Sequence, residues 1–241
     1  MKYMGSKSRL KKEILPIIQS YINEDTKGYL EPFVGGANII DDVVCSKKIG
    51  NDISDTLIAL LNHVKNNGEL PKEVDKELYD DVRANQNTDK YEKWFIGAVG
   101  YLASYNGRYF DGGYAKSSGN RNYYDEAKRN LLKQAVKLKD VNFISCNFLD
   151  LPKDKIKGYV IYCDPPYKNT KKYNNINFPH EAFYDWCREL SKNNIVLISE
   201  YNMPNDFTCI WKKETKVNFD SNRISNDNKN KRIEKLYIYN K

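Results

Sequence analysis

The chain has 241 residues, with 39 Lys+Arg against 32 Asp+Glu, a formal net charge of +7 and 13% aromatic content. That length accommodates one α/β domain with a sizeable insertion, or one domain plus a small one. No stretch reaches the length of a membrane span, and Met1-Lys2-Tyr3-Met4-Gly5-Ser6 holds no apolar signal core, so a cytoplasmic protein is expected. His63 and His180 are the only histidines, which argues against zinc ligation and histidine general-base chemistry. The five cysteines are widely spaced, lack a C-x-x-C pair and sit mostly in apolar runs, so reduced thiols are expected. A basic balance with nineteen tyrosines suits a polyanion carrying bases to stack on. An AT-rich coding sequence produces the same composition equally well.

In chain order, apolar positions Leu10, Ile14, Ile17, Ile18 and Tyr21 predict a helix over 6–21, capped by Ser6 and kinked or restarted at Pro16. Residues 28–33 read as a strand, 37–45 as a helix, 47–51 as a second strand and 57–64 as a helix. From Pro71 to Lys139 the alternation breaks. An aromatic-rich helix is expected over 91–105, a Gly/Ser/Asn/Arg-rich loop over 106–122 and a helix over 125–138. Strands follow at 141–146, 159–163 and 195–199, with a helix at 183–190 between the last two. Leu236 to Tyr239 alternates as a hairpin partner or edge strand, and 222–232 reads as a loop. Strands alternating with helices predict an α/β fold with a mostly parallel sheet. The expected organisation is a catalytic domain from 1–70 and 140–241, interrupted by a helical subdomain at 71–139.

Three short segments carry chemistry. The first is Asp164-Pro165-Pro166-Tyr167, directly behind the apolar run Tyr159-Val160-Ile161-Tyr162-Cys163. Proline lacks a backbone N–H and holds the residue before it extended. The result is a flat ledge rich in acceptors, with an aromatic face beside it, suited to a planar partner that carries an amine. The second is Glu31-Pro32-Phe33-Val34-Gly35-Gly36, a glycine turn after a first strand, followed by Asp52 at the next strand end. That pattern suits a nucleoside, with the acid on the ribose hydroxyls. A plain tight connection, with Asp52 capping the next helix, accounts for it too. The third is Tyr3-Met4-Gly5-Ser6-Lys7, where Lys7 suits a ligand carboxylate and a solvated terminus is the alternative.

The order of these segments, ending in Tyr237-Ile238-Tyr239-Asn240, resembles the Dam-type, D12-class adenine-N6 DNA methyltransferases over nearly the whole chain. The resemblance implies a Rossmann-like S-adenosylmethionine-dependent methyltransferase fold with an inserted target-recognition subdomain. It implies double-stranded DNA as partner, a GATC-like site, no metal and no obligate protein partner. Tyr3, Lys7, Glu31, Phe33, Gly35, Asp52, Ile53, Asn147, Phe148, Asp164 and Tyr173 match the family's cofactor contacts. Asp164, Pro165, Pro166 and Tyr167 match its catalytic ledge, and Tyr105, Asn106, Arg108 and Arg121 its DNA contacts. Arg121 fits a phosphate contact as well as a base contact. The family often has Asp where Glu31 and Asn147 stand here. An RNA or cytosine-N4 amino-methyltransferase shares the ledge, and a non-catalytic nucleic-acid-binding relative would share the fold.

Overall fold

The computed structural model describes residues 1–116, 119, 121–168, 178–216 and 231–240. The chain divides into two compact units, Met1–Leu151 and Pro152–Lys241.

In the first unit, β1 (Gly28–Glu31), β2 (Lys48–Asn51) and β3 (Val141–Ile144) pair in parallel in the order β3-β2-β1. Its helices are α1 (Lys11–Ser20), α2 (Asp55–Lys65), α3 (Lys76–Ala84), α4 (Lys93–Leu102) and α5 (Tyr123–Ala135). Three of them start at side-chain caps: Ser54, Asp75 and Asn122 accept the backbone N–H of Leu57, Leu78 and Asp125. Leu57, Leu60, Leu61 and Val64 bury the inner face of α2. Gly97 of α4 lies so close to α2 that a Cβ there would sit 2.2 Å from the Thr56 carbonyl oxygen.

In the second unit, β4 (Tyr159–Cys163) is buried at every position and pairs in parallel with β5 (Ile195–Ser199). β7 (Lys231–Tyr239) runs antiparallel to both β5 and β6 (Phe207–Lys216), giving the order β4-β5-β7-β6. The helix α6 (His180–Ser191) connects β4 to β5.

Several expectations need correction. No α-helix forms over 37–45, only a 3₁₀ turn at Ile40–Asp42. Ala37 takes a left-handed φ of 54°, and Gln134 Nε2 of α5 donates to the Gly36 and Ala37 carbonyls, which a helix would have used itself. Ser6 caps a separate 3₁₀ turn, Lys7–Arg9, and α1 then runs through Pro16. Of the two alternatives for Leu236–Tyr239 the hairpin partner holds: the segment pairs antiparallel with β6, which lies outside it, so it is not the edge. β6 and α3 are additional elements: β6 is polar and buries only Phe207 among its described side chains, so no apolar run announced it. The loop expected at 222–232 lies outside the described residues, except that Lys231 and Arg232 already belong to β7.

Candidate active site

β1 ends at Glu31, which is buried and accepts the Tyr29 hydroxyl at 2.8 Å. The chain then turns through Pro32 to Gly36. Gly35 sits at φ +49° and donates its backbone N–H to Asp52 Oδ2 at 3.0 Å. The other oxygen of Asp52 accepts the Ser54 N–H at 3.0 Å. Asp52 is therefore no helix cap: Ser54 caps α2, and Asp52 ties that cap to the glycine turn. Burial pushes its carboxyl up from the ordinary value, while the N–H groups of Ser54, Gly35 and Ile53 favour the ionised form.

The glycine pair makes room for a side chain of the same unit. A Cβ on Gly35 would lie 2.7 Å from Tyr3 Cε1, and one on Gly36 would lie 2.8 Å from Tyr3 Cβ. Tyr3 thus lies on the turn and tilts against Tyr101 of α4 at 5.8 Å between ring centroids. Lys7 is half-buried, its Nζ 3.5 Å from the Gly5 carbonyl.

Asn147 follows β3, and its Oδ1 accepts the Leu149 N–H at 3.0 Å, capping the 3₁₀ turn Phe148–Asp150. Phe148 is buried, with its ring 5.3 Å from that of Phe33. Ile53 beside Asp52 is 63% exposed. The set fits a nucleoside: a buried carboxylate with lone pairs left for hydroxyls, two rings and an exposed aliphatic to flank a base, and a turn at a strand end.

One residue that holds this set was missed as a site residue. Asn51 is fully buried; its Nδ2 donates to the Pro32 carbonyl (3.0 Å) and the Cys146 carbonyl (3.1 Å), and its Oδ1 accepts the Cys146 N–H (3.1 Å). It thereby fixes the segments leaving β1 and β3 to the end of β2. The only sequence signal was an amide directly before Asp52 at the end of a short strand.

The ledge lies in the second unit. Asp164 is half-buried at the end of β4, and Pro165 behind it is buried. The Tyr167 hydroxyl donates to Glu234 Oε2 at 3.0 Å, and its ring meets that of Tyr201 edge-on at 4.6 Å. Burial, then the charges of Asp164 and Glu234, push its phenol well above the usual range. Buried Glu200 accepts the Lys168 N–H at 3.1 Å and the Tyr201 N–H at 2.7 Å, holding the chain just after the ledge. Sequence reading missed Glu200, Tyr201 and Glu234. Tyr173 lies outside the described residues.

The loop after α4 presents Tyr105, which is 57% exposed, and Asn106, also exposed and left-handed at φ 55°. Gly107, at φ +67°, abuts the N-terminal segment: a Cβ there would lie 2.5 Å from the Lys2 carbonyl oxygen. Arg108 pairs with Asp111 at 3.1 Å. Arg121 pairs with Glu126 at 3.2 Å, and Lys2 reaches the same carboxylate at 2.9 Å. Lys2, Tyr105, Asn106 and Tyr123 help line a small cavity of about 40 Å³. A separate open groove of about 550 Å³, lined by Asn62, His63, Lys93 and Trp94 among others, includes none of these motif residues. Among the described residues no group of His, Cys, Asp and Glu is placed to hold a metal, and no helix is long and apolar enough to cross a membrane.

The chain is 24% identical over 197 residues to the type II methyltransferase M1.LlaDCHI of Lactococcus lactis subsp. cremoris, covering 72% of this chain and 68% of the relative. It is 26% identical over 205 residues to the type II methyltransferase M.MjaIII of Methanocaldococcus jannaschii, covering 71% and 70%. Against the crystal structure of SMU.472 complexed with SAH, the alignment covers all of this chain and 54% of the other, at 14% identity and a TM-score of 0.36, a likeness too weak to add to the fold. The model of the D12 class N6 adenine-specific DNA methyltransferases matches residues 3–218, a span that takes in the Tyr3 segment, the glycine turn, Asp52 and the Asp164 ledge. A match over that much of the sequence makes this chain a member of the D12 class N6 adenine-specific DNA methyltransferase family.

Proposed function

We propose that the chain transfers a methyl group from S-adenosylmethionine to the N6 amine of an adenine within a specific site in duplex DNA. The observation that carries this reading is the intact Asp164-Pro165-Pro166-Tyr167 ledge at the end of the fully buried β4, inside the span that matches the family. Asp52 would hold the ribose hydroxyls, Ile53, Phe33 and Phe148 would flank the cofactor's adenine, and Lys7 would meet the methionyl carboxylate. Asn147 would contact that adenine through its amide. Tyr105, Asn106 and Arg108 would read the site and Arg121 would meet the backbone; a GATC-like site follows from the family resemblance.

S-adenosylmethionine supplies an electrophilic methyl on a sulfonium centre that departs as a neutral thioether. The residues of the chain prepare the amine. Its lone pair is conjugated into the purine, so the nitrogen is a poor nucleophile. The Asp164 carboxylate and the Pro165 carbonyl accept its two hydrogens and favour a pyramidal nitrogen with a localised lone pair. Tyr167 stacks on the base, held by Glu234 and Tyr201. A nitrogen–carbon bond forms as the carbon–sulfur bond breaks, and the surplus proton leaves the nitrogen by way of Asp164 to water. Positioning and preorganised acceptors supply the acceleration. The base must leave the helix to reach the ledge, at a cost of roughly a few kcal/mol.

The test is methylation of duplex DNA by the purified chain, with mass spectrometry of the released nucleosides. N6-methyladenine is expected, and Asp164→Ala should lower its formation by about 10²–10³-fold or more with folding retained. Formation of N4-methylcytosine, modification confined to RNA, or near-normal activity of Asp164→Ala would each overturn the proposal.

A further inference from the structure

The residue that follows the ledge, Lys168, is fixed at one end and loose at the other. Its backbone N–H donates to Glu200 Oε2 at 3.1 Å. Glu200 is buried directly behind β5, and its other oxygen accepts the Tyr201 N–H at 2.7 Å. The Lys168 side chain therefore starts from a fixed point, one residue from the Tyr167 ring that packs edge-on against Tyr201. Its far end is held lightly. Nζ donates to Glu181 Oε1 at 3.3 Å, with the lysine side chain 51% and the glutamate 80% exposed, and lies 5.8 Å from the Tyr184 ring centroid. Glu181 and Tyr184 are three residues apart on α6 and share a face. An ion pair so open to water contributes little to stability and is readily exchanged.

The surroundings of the ledge are acidic. After burial, the charges of Asp164 and Glu234 are the main influences on the Tyr167 phenol, and Glu200 adds a third carboxyl group behind Lys168. An adenine that stacks on Tyr167 brings its own phosphodiester links with it. Its flanking phosphates then approach these carboxyl groups, and like charges repel at short range. A cation mounted beside the ring offsets that repulsion. Lys168 is such a cation, and exchanging Glu181 for a phosphate replaces a loose partner with a charge-assisted hydrogen bond to the substrate.

We propose that Lys168 is a substrate-positioning residue that contacts one of the two phosphates flanking the flipped adenine and so holds that nucleotide on the ledge. This rests on the reading of the chain as a DNA methyltransferase with Asp164 and Tyr167 at the target base. The contact forms only once the base has left the helix, because only then does its phosphodiester lie beside Tyr167. Lys168 therefore stabilises the reacting complex more than the first encounter with the duplex. Its loss lowers the rate of methyl transfer more than the affinity for DNA.

Modified-base sequencing first defines the methylated motif. Duplexes with that motif are then made with each phosphate flanking the target adenosine replaced, in turn, by an uncharged methylphosphonate. Single-turnover methylation by the wild type should slow about 10–100-fold at one of the two positions, as loss of a charge-assisted hydrogen bond allows. Lys168→Gln should lose a similar factor on the unmodified duplex, and little more when that same phosphate is neutralised. Its affinity for the unmodified duplex should fall less than its rate. Lys168→Arg keeps a cation and should retain most of the rate, which separates the contact from a folding defect. Lys192→Gln removes an equal charge just past the other end of α6, where Lys192 pairs with Glu189, and should stay near wild type. Losses in Lys168→Gln that add in full to those from each methylphosphonate would overturn the inference. A wild-type rate in Lys168→Gln, or an equal loss in Lys192→Gln, would overturn it as well, with the function intact. A wild type that methylates no duplex would instead overturn the functional reading beneath it.

Discussion

The Gly35 N–H donates to Asp52 Oδ2 at 3.0 Å, joining the turn after β1 to the residue that follows β2. With Ser54 on its other oxygen, Asp52 has both a structural and a proposed ligand role. Asp52→Ala leaves two backbone donors without their acceptor, so the glycine turn and the start of α2 both loosen. Affinity for S-adenosylhomocysteine, measured by calorimetric titration, should fall at least about tenfold, an energy of about 1.4 kcal/mol.

The same carboxylate gives a pH prediction. Burial raises its folded value above the ordinary 3.8, so the folded chain holds this proton more tightly than the unfolded chain. The stability it contributes is fully present below about 3.8, is lost as pH rises through the folded value, and is level above it. Asp52→Asn does not titrate there. The stability of the wild type minus that of Asp52→Asn, from denaturant unfolding at a series of pH values, should therefore fall with rising pH above about 3.8. A difference that grows with pH would contradict this.

Asn51 is the structural counterpart of these ligand-facing groups. Its two donor bonds and two acceptor bonds, the second from the Cys146 thiol, are all buried or partly buried. Asn51→Ala leaves two carbonyls and one N–H without their partner, and a loss of about 2–4 kcal/mol is expected from denaturant unfolding. Asn51→Asp should be no better, because it turns a carboxylate toward the Pro32 and Cys146 carbonyls.

These residues show why parts of the molecule were legible and others were not. Tyr159–Cys163 is apolar at consecutive positions, so a doubly buried strand could be read directly, and the ledge inherited its place at the strand end. Asp52 and the glycine turn were recognisable as a pair but their roles were not. The space of the missing Cβ atoms belongs to Tyr3, thirty-two residues before Gly35, and only the folded chain shows it. The false helix at 37–45 had apolar residues enough; it lost to Gln134, far along the chain, which takes the carbonyls a helix needs. β6 escaped because its residues are mostly polar and its strand character comes from pairing with β7. Local patterns revealed what local burial decides, and side chains acting across long separations were hidden.

Tyr167 separates ring from hydroxyl. Tyr167→Phe removes the bond to Glu234 and keeps the ring, and stability should fall by about 1 kcal/mol with methylation largely kept. Tyr167→Ala removes the stacking face, and DNA methylation should fall by about 10–100-fold, matching about 1–3 kcal/mol of base stacking. Steady-state rates on one duplex substrate decide between the two. Equal losses in both variants would assign the hydroxyl, rather than the ring, to the reaction.

Arg121 should behave differently from Arg108. Its side chain is 63% exposed, its Nε reaches Glu126 at 3.2 Å, and its guanidinium lies 5.3 Å from the Tyr123 ring centroid. Glu126 is shared with Lys2, and the hydrogen bonds from Lys2 and Arg121 hold its carboxyl below the usual range. One acid between two bases leaves a net positive charge on an exposed surface, the arrangement that suits a phosphate rather than a base edge. Arg121→Ala should therefore weaken binding to cognate and altered duplexes by similar factors and lower the salt slope by about one. Anisotropy titrations on both duplexes over a range of salt test this. A selective loss on the cognate duplex, with the slope unchanged, would make Arg121 a reader of the sequence.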